Sequence, residues 1–165
     1  MKKRTYRQWS RLCLVLLISL LIQTGCGRSG EPITCTISIS CETILAQMEQ
    51  LKEGKEAYVP EDGWILETQT MELSDGSSVF DLLQKACQEN EIQMEYSTSP
   101  VYRSAYIEGI HQIYELDCGS TSGWMYRVNG IYPNYGAGKY ELKDGDQVEF
   151  LYTCDLGKDI GKEQK

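Results

Sequence analysis

From Thr34 to Ser40 (TCTISIS) β-branched and cysteine residues alternate with small polar ones, the period-two pattern of a strand with one buried face. Glu42 to Glu53 carries Ile44, Leu45, Met48 and Leu51 at i, i+1, i+4 and i+7, which predicts a short amphipathic helix. A loop over 54–63 leads to a second strand, Trp64 to Leu73. The strongest helix spans Ser78 to Asn90. Its apolar residues Val79, Leu82, Leu83, Ala86 and Cys87 share one face, and Ser78 with Asp81 makes a capping-box start. Ile92 to Tyr96 reads as a strand, followed by a Ser, Thr and Pro loop through Pro100. Tyr106 to Leu116 reads as another strand, with Gly109 marking a bulge or turn. Asn129-Gly130, between Gly123–Val128 and Ile131–Tyr132, predicts a two-residue hairpin turn, because a type I′ turn needs positive φ at both central residues. A second turn at Lys143 to Asp146 (KDGD) opens the last strand, Gln147 to Thr153. This order predicts an α+β fold, a β-grasp-like mixed sheet packed on one main helix.

The first 33 residues obey a different pattern. A basic stretch from Lys2 to Arg11 precedes an apolar run from Leu12 to Ile22 and then Thr24-Gly25-Cys26, the form of a secretory signal. The run is shorter than the roughly 20 apolar residues a membrane-spanning helix needs. Gly25-Cys26 resembles the lipobox of bacterial lipoproteins, with Gln23 where a leucine is usual. The expected organisation is a lipoprotein signal peptide over 1–25, a lipidated tether over 26–33, a folded domain over 34–157 and a charged tail over 158–165. That places the domain on the outer face of the cell membrane, with release into the medium as the alternative. The tether from Gly27 to Pro32 reaches roughly 20 Å, so the domain stays near the bilayer.

Charge narrows the choice of partners. Five of the 16 Lys and Arg lie in the leader, which has no Asp or Glu; the remaining 11 face 24 acidic residues, a net charge of −13. Such a surface repels phosphate backbones, so nucleic acid is not expected as a partner.

Catalytic chemistry has little to build on. His111 is the only histidine, which excludes histidine-based metal clusters, and no two cysteines have the spacing of a zinc knuckle. Ser122 sits in Ser-Gly-Trp, outside the frame that exposes a serine nucleophile. No catalytic residue, metal or cofactor is therefore assigned, and the chain reads as a binding protein and not an enzyme. The aromatics are more informative. Eleven tyrosines stand against two phenylalanines, and Tyr102, Tyr106, Trp124, Tyr126, Tyr132 and Tyr135 crowd one region of the chain. Rings with a polar edge give stiff, hydrogen-bonding contact area. Trp124 and Tyr126 are read equally well as core; Tyr132, Asn134 and Tyr135, just past the hairpin, are expected to be more exposed.

The segments CTISISCETIL (Cys35 to Leu45), SSVFDLLQKA (Ser77 to Ala86), YIEGIHQIYELDCG (Tyr106 to Gly119), SGWMYRVNG (Ser122 to Gly130) and KDGDQVEFLYTCDLG (Lys143 to Gly157) resemble the transcobalamin C-terminal-like domain. This is a β-grasp-type unit of unknown function in Gram-positive surface lipoproteins. In transcobalamin and intrinsic factor the related domain closes over one face of cobalamin while a helical domain holds the other. The resemblance implies ligand contact around Ser122, Gly123, Trp124, Tyr126 and Asn129, with cobalamin or another corrinoid as ligand and a membrane transporter as the receiving partner. A protein-interaction or adhesion module using the same aromatic surface is the alternative.

The folded part holds Cys35, Cys41, Cys87, Cys118 and Cys154, an odd number, so at least one is unpaired in a monomer. Cys87, on the core face of the helix, is the expected free thiol. A β-grasp sheet sets the first and last strands side by side in parallel, which makes Cys41 with Cys154 the expected disulfide and Cys118 with Cys154 the alternative.

The leader yields a direct prediction. Mass spectrometry of membrane-extracted protein should find a diacylglyceryl-modified Cys26 as the N-terminus; an unmodified N-terminus elsewhere on released protein would contradict it.

Overall fold

The computed structural model describes residues 30–99 and 104–162; the leader, Cys26 and Tyr102 lie outside them. The architecture is α+β, with two sheets where the element order predicts one. Strands β1 (Ile33–Ser40), β2 (Trp64–Leu73), β6 (Gly123–Val128) and β7 (Gln147–Thr153) form a four-stranded sheet in the order β2-β1-β7-β6. Its central pair, β1 and β7, is parallel, with Ile37 opposite Val148 and Ile39 opposite Phe150. Both outer pairs are antiparallel. Strands β3 (Met94–Ser99), β4 (Ser104–Ile110) and β5 (Ile113–Tyr114) form the smaller sheet.

Alternation along β1 and β7 sends Ile33, Cys35, Ile37, Ile39, Val148 and Phe150 into one core, together with the apolar stripe of α2 (Val79–Glu89). Leu82 and Leu83 are fully buried there. Each such side chain contributes about 1.5–3 kcal/mol relative to exposure. The capping box is complete: the Ser78 hydroxyl accepts from Asp81 N at 3.2 Å, and Asp81 Oδ2 accepts from Ser78 N at 2.7 Å. Cys87 is buried on this face, as its spacing predicts. At the far ends of β1 and β7 a second apolar cluster gathers Cys41, Ile44, Leu51, Ile113, Cys118, Tyr152 and Cys154.

Three elements differ from the sequence pattern. The helix expected over 42–53 reduces to α1 (Glu42–Leu45) and one 3₁₀ turn, Met48–Gln50. Only Ile44 and Leu51 of its apolar set are buried, while Leu45 and Met48 are exposed. Leu51 instead bridges Cys118, and Lys52 N donates to Asp117 O at 2.7 Å. The buried Asp117 carboxylate holds Lys55 at 3.2 Å and Lys52 at 3.8 Å. Tertiary pairing thus outweighs weak helical periodicity.

The turn in Tyr106–Leu116 falls at His111-Gln112, with φ of 53° and 63°, and not at Gly109. Gly109 sits beside a register shift, where Glu95 faces Gly109 but Tyr96 faces Ile107. A Cβ at Gly109 would lie 2.6 Å from the Tyr114 ring.

The Asn129-Gly130 turn has the expected positive φ values, 51° and 78°. Its second arm, however, ends after the single bridge between Val128 and Ile131. Pro133 cannot donate to a ladder, and β6 pairs along its length with β7 instead.

The crowding at Gly109 is testable. Gly109→Ala should lower stability by about 1–3 kcal/mol, the range for overpacking, read as a lower urea midpoint with an unchanged slope. An unchanged midpoint would show that the Tyr114 ring yields freely.

Candidate functional site

The register of β6 on β7 sets Trp124 opposite Tyr152 and Tyr126 opposite Phe150. Residues on one face of this pair therefore meet as rings: Trp124 meets Tyr152 edge-on at 5.2 Å, and Tyr126 stacks on Phe150 at 5.9 Å. On the opposite face Arg127 grips Glu149 through two bonds of 2.6 Å. Tyr152 is buried, and its hydroxyl donates within 2.7 Å of Tyr114 O and lies 2.9 Å from Ser122 Oγ. The Trp124 indole donates to Ile113 O at 2.9 Å. Trp124 and Tyr126 are thus half-buried: each packs on the core and shows a face outward.

The segment after the hairpin folds back beside these rings. The Tyr126 hydroxyl donates to Tyr135 O at 2.8 Å, and Tyr135 stacks on Tyr140 at 6.0 Å. Tyr132 donates to Ile160 O at 2.6 Å, fastening the segment to the turn near the C-terminus. Across the gap β4 presents Ala105, Tyr106 and Ile107. The Tyr106 hydroxyl donates to the Glu115 carboxylate.

Between these walls lies a cleft of about 720 Å³, open to solvent. That is within the usual range for small-molecule sites, roughly 300–1,000 Å³. Tyr106, Trp124, Tyr126, Tyr132, Asn134 and Tyr135 all line it, so six of the residues singled out in the sequence share one concavity. Phe150 lies at its floor, and Lys139 and Lys162 are its only charged lining residues among those described. A cleft with no carboxylate among its described lining residues is notable in a chain whose part beyond the leader has a net charge of −13. Burial, and then the bond to Glu115, pushes the Tyr106 phenol up to about 12; burial also raises Tyr126 and Tyr132. These walls therefore present neutral phenols at physiological pH.

Other sequence candidates lie elsewhere. Ser122 is buried, donating to Gly119 O at 2.9 Å and accepting from Cys118 N at 3.1 Å, so it closes a turn. Gly123 begins β6 outside the cleft lining. Asn129 ties the hairpin to β7, its Oδ1 accepting from Gln147 N at 2.9 Å and its Nδ2 donating to Asp146 at 2.8 Å. Tyr102 is outside the described residues. His111 is a turn residue, edge-on to Tyr58 at 6.4 Å. Phe150, Lys139 and Lys162 were not anticipated. Alternation in Gln147–Thr153 marks Phe150 as inward-facing, but no local pattern brings the two lysines to the cleft.

The expected Cys41–Cys154 disulfide is absent: all five cysteines among the described residues are free and buried. The parallel neighbours are as expected, but the register sets Ser40 opposite Leu151. Cys154 is thereby carried two residues past the level of Cys41, roughly 6–7 Å along the strand. Its sulfur lies instead 3.8 Å from Thr43 Oγ1, in the buried cluster it shares with Cys118. Burial pushes the Cys87 thiol up to about 12.

Among the described residues no group of three or more His, Cys, Asp or Glu is placed to hold a metal ion, and no helix is long and apolar enough to cross a membrane. Residues 76–153 match the family described as a domain of unknown function, DUF4430. No curated protein matches the sequence. Among solved structures the chain is similar to haptocorrin in complex with Cbi, with a TM-score of 0.52 and 17% identity over 81% of this chain. It spans 28% of the haptocorrin chain, and at this identity the likeness is one of fold. A protein of Ruminococcus gnavus ATCC 29149, provisionally assigned as metal binding, aligns over 73% of this chain and 96% of its own, with 15% identity and a TM-score of 0.45.

Proposed function

We propose that the domain is a non-enzymatic binding module whose ligand is a corrinoid, such as cobalamin, held in the cleft between β4, β6 and residues 132–139. The observation that carries this reading is the convergence of Tyr106, Trp124, Tyr126, Tyr132, Asn134 and Tyr135 on one open concavity. Flat apolar rings with hydroxyl and amide edges suit a broad macrocycle that carries amide arms. The fold likeness to haptocorrin, solved with Cbi, supports that choice of ligand. The β-grasp kinship, the lipid anchor at Cys26, the place on the outer membrane face and delivery to a membrane transporter belong to the same proposal; the leader motif and the short tether support them.

A second reading, a protein-interaction or adhesion module, has its own support. Ile131 and Leu156 are exposed and line a hollow that shares Tyr132, Asn134 and Tyr135 with the cleft, an apolar rim suited to a polypeptide.

Calorimetric titration separates the two. Cobalamin or cobinamide should bind the full chain with a dissociation constant near the micromolar range, about −8 kcal/mol. Tyr135→Ala and Tyr106→Ala, both at exposed rings, should each weaken binding by about 1–2 kcal/mol and leave thermal unfolding nearly unchanged. Tyr132→Ala is less clean because it also releases Ile160. No heat and no corrinoid spectral shift at about 100 µM would remove the corrinoid and favour the polypeptide partner.

A further inference from the structure

We propose that Cys118 and Cys154 are the domain's redox pair, closing a disulfide that braces the floor behind Trp124, while Cys35, Cys41 and Cys87 stay as thiols. Both cysteines are buried in one cluster and their side chains interact, Cys118 Sγ also lying 3.6 Å from Gln47 O and Cys154 Sγ 3.8 Å from Thr43 Oγ1. Cys41 shares the cluster but sits two residues short of the level of Cys154 on the neighbouring strand, Cys35 donates to Lys143 O at 3.3 Å, and Cys87 is held in the main core.

The surrounding backbone holds the pair in place. Thr121 Oγ1 donates to Cys154 O at 2.7 Å, Leu156 N to Thr121 O at 3.1 Å, and Gly123 lies opposite Thr153. The turn that carries Cys118 is therefore strapped along the chain that carries Cys154. Both side chains are buried in the cluster that contains Tyr152, and Trp124 packs against that cluster. A covalent link here would fix the start of β6, where the aromatic wall of the cleft begins.

The oxidant required is an external disulfide, of a small molecule or of a thiol oxidoreductase. One cysteine, as thiolate, attacks a sulfur of that disulfide and expels the first thiolate, leaving a mixed disulfide. The second cysteine then attacks the bonded cysteine sulfur, forming the Cys118–Cys154 bond and expelling the second thiolate. Two protons leave the cysteines and two electrons reduce the oxidant to two thiols. Burial raises both thiols in the closed domain, so exchange belongs to folding or to local opening. Once closed, the bond is shielded from reductants.

The test uses the full chain, incubated with oxidised glutathione, denatured, alkylated without reduction and digested. A linked peptide pair containing Cys118 and Cys154, with Cys35, Cys41 and Cys87 alkylated, is the expected result. Alkylation of both Cys118 and Cys154, or either one joined to a different cysteine, overturns the proposal. The oxidised chain should also melt about 5–15 °C above its reduced form, given the 35 residues enclosed between the two cysteines. C118S and C154S should each abolish that redox dependence while remaining folded when reduced, and C87S should retain it. A redox shift that persists in C118S overturns the proposal as well.

Discussion

The antiparallel register of Gly123–Val128 on Gln147–Thr153 decides what the rest of this surface can be. It brings Trp124 to Tyr152 and Tyr126 to Phe150 on one face, and Arg127 to Glu149 on the other. A slip of one residue would send the aromatic set to the far face and leave the charged pair against the core. The register is pinned at both ends. At one end Asn129 binds Gln147 and Asp146; at the other the Tyr152 hydroxyl reaches Ser122 and Tyr114. Residues that the sequence offers as ligand contacts, Ser122 and Asn129, thus serve the site by holding its frame.

The middle position of β7 links the cleft to the core. Its parallel partner β1 carries the isoleucines that pack on α2, while its antiparallel partner β6 carries the cleft wall. Phe150 belongs to both, buried at the core and lying at the cleft floor. Residues 132–139 are held by the Tyr126 bond to Tyr135 O, the Tyr132 bond to Ile160 O and the stack of Tyr135 on Tyr140. Within the segment Ala137 is buried in the main core, which anchors the wall from inside.

Elements fixed by local rules were legible in the sequence: the capped helix, the alternating strand β1, the strands β2 and β7, and the Asn129-Gly130 turn. The helix expected over 42–53 failed because Asp117, distant in sequence, claims Lys52 and Lys55 and draws Leu51 into a bridge. The second sheet was missed because His111-Gln112 makes a tight turn without glycine, so no punctuation marks it. The aromatic residues of the cleft were legible as a cluster in composition. Lys139 and Lys162 were not, since their place depends on how the chain after the hairpin folds back. The cysteine pairing failed on register alone, a shift of two residues that strand order does not specify.

Whether the cleft is the ligand site is tested most directly by mapping backbone amide shifts of the isotopically labelled chain during a cobinamide titration. Shifts should concentrate at residues 105–107, 124–126 and 132–139, with little change along β2 or the exposed side of α2. Saturable shifts centred elsewhere, or none at ligand concentrations near the solubility limit, would contradict a corrinoid site in this cleft.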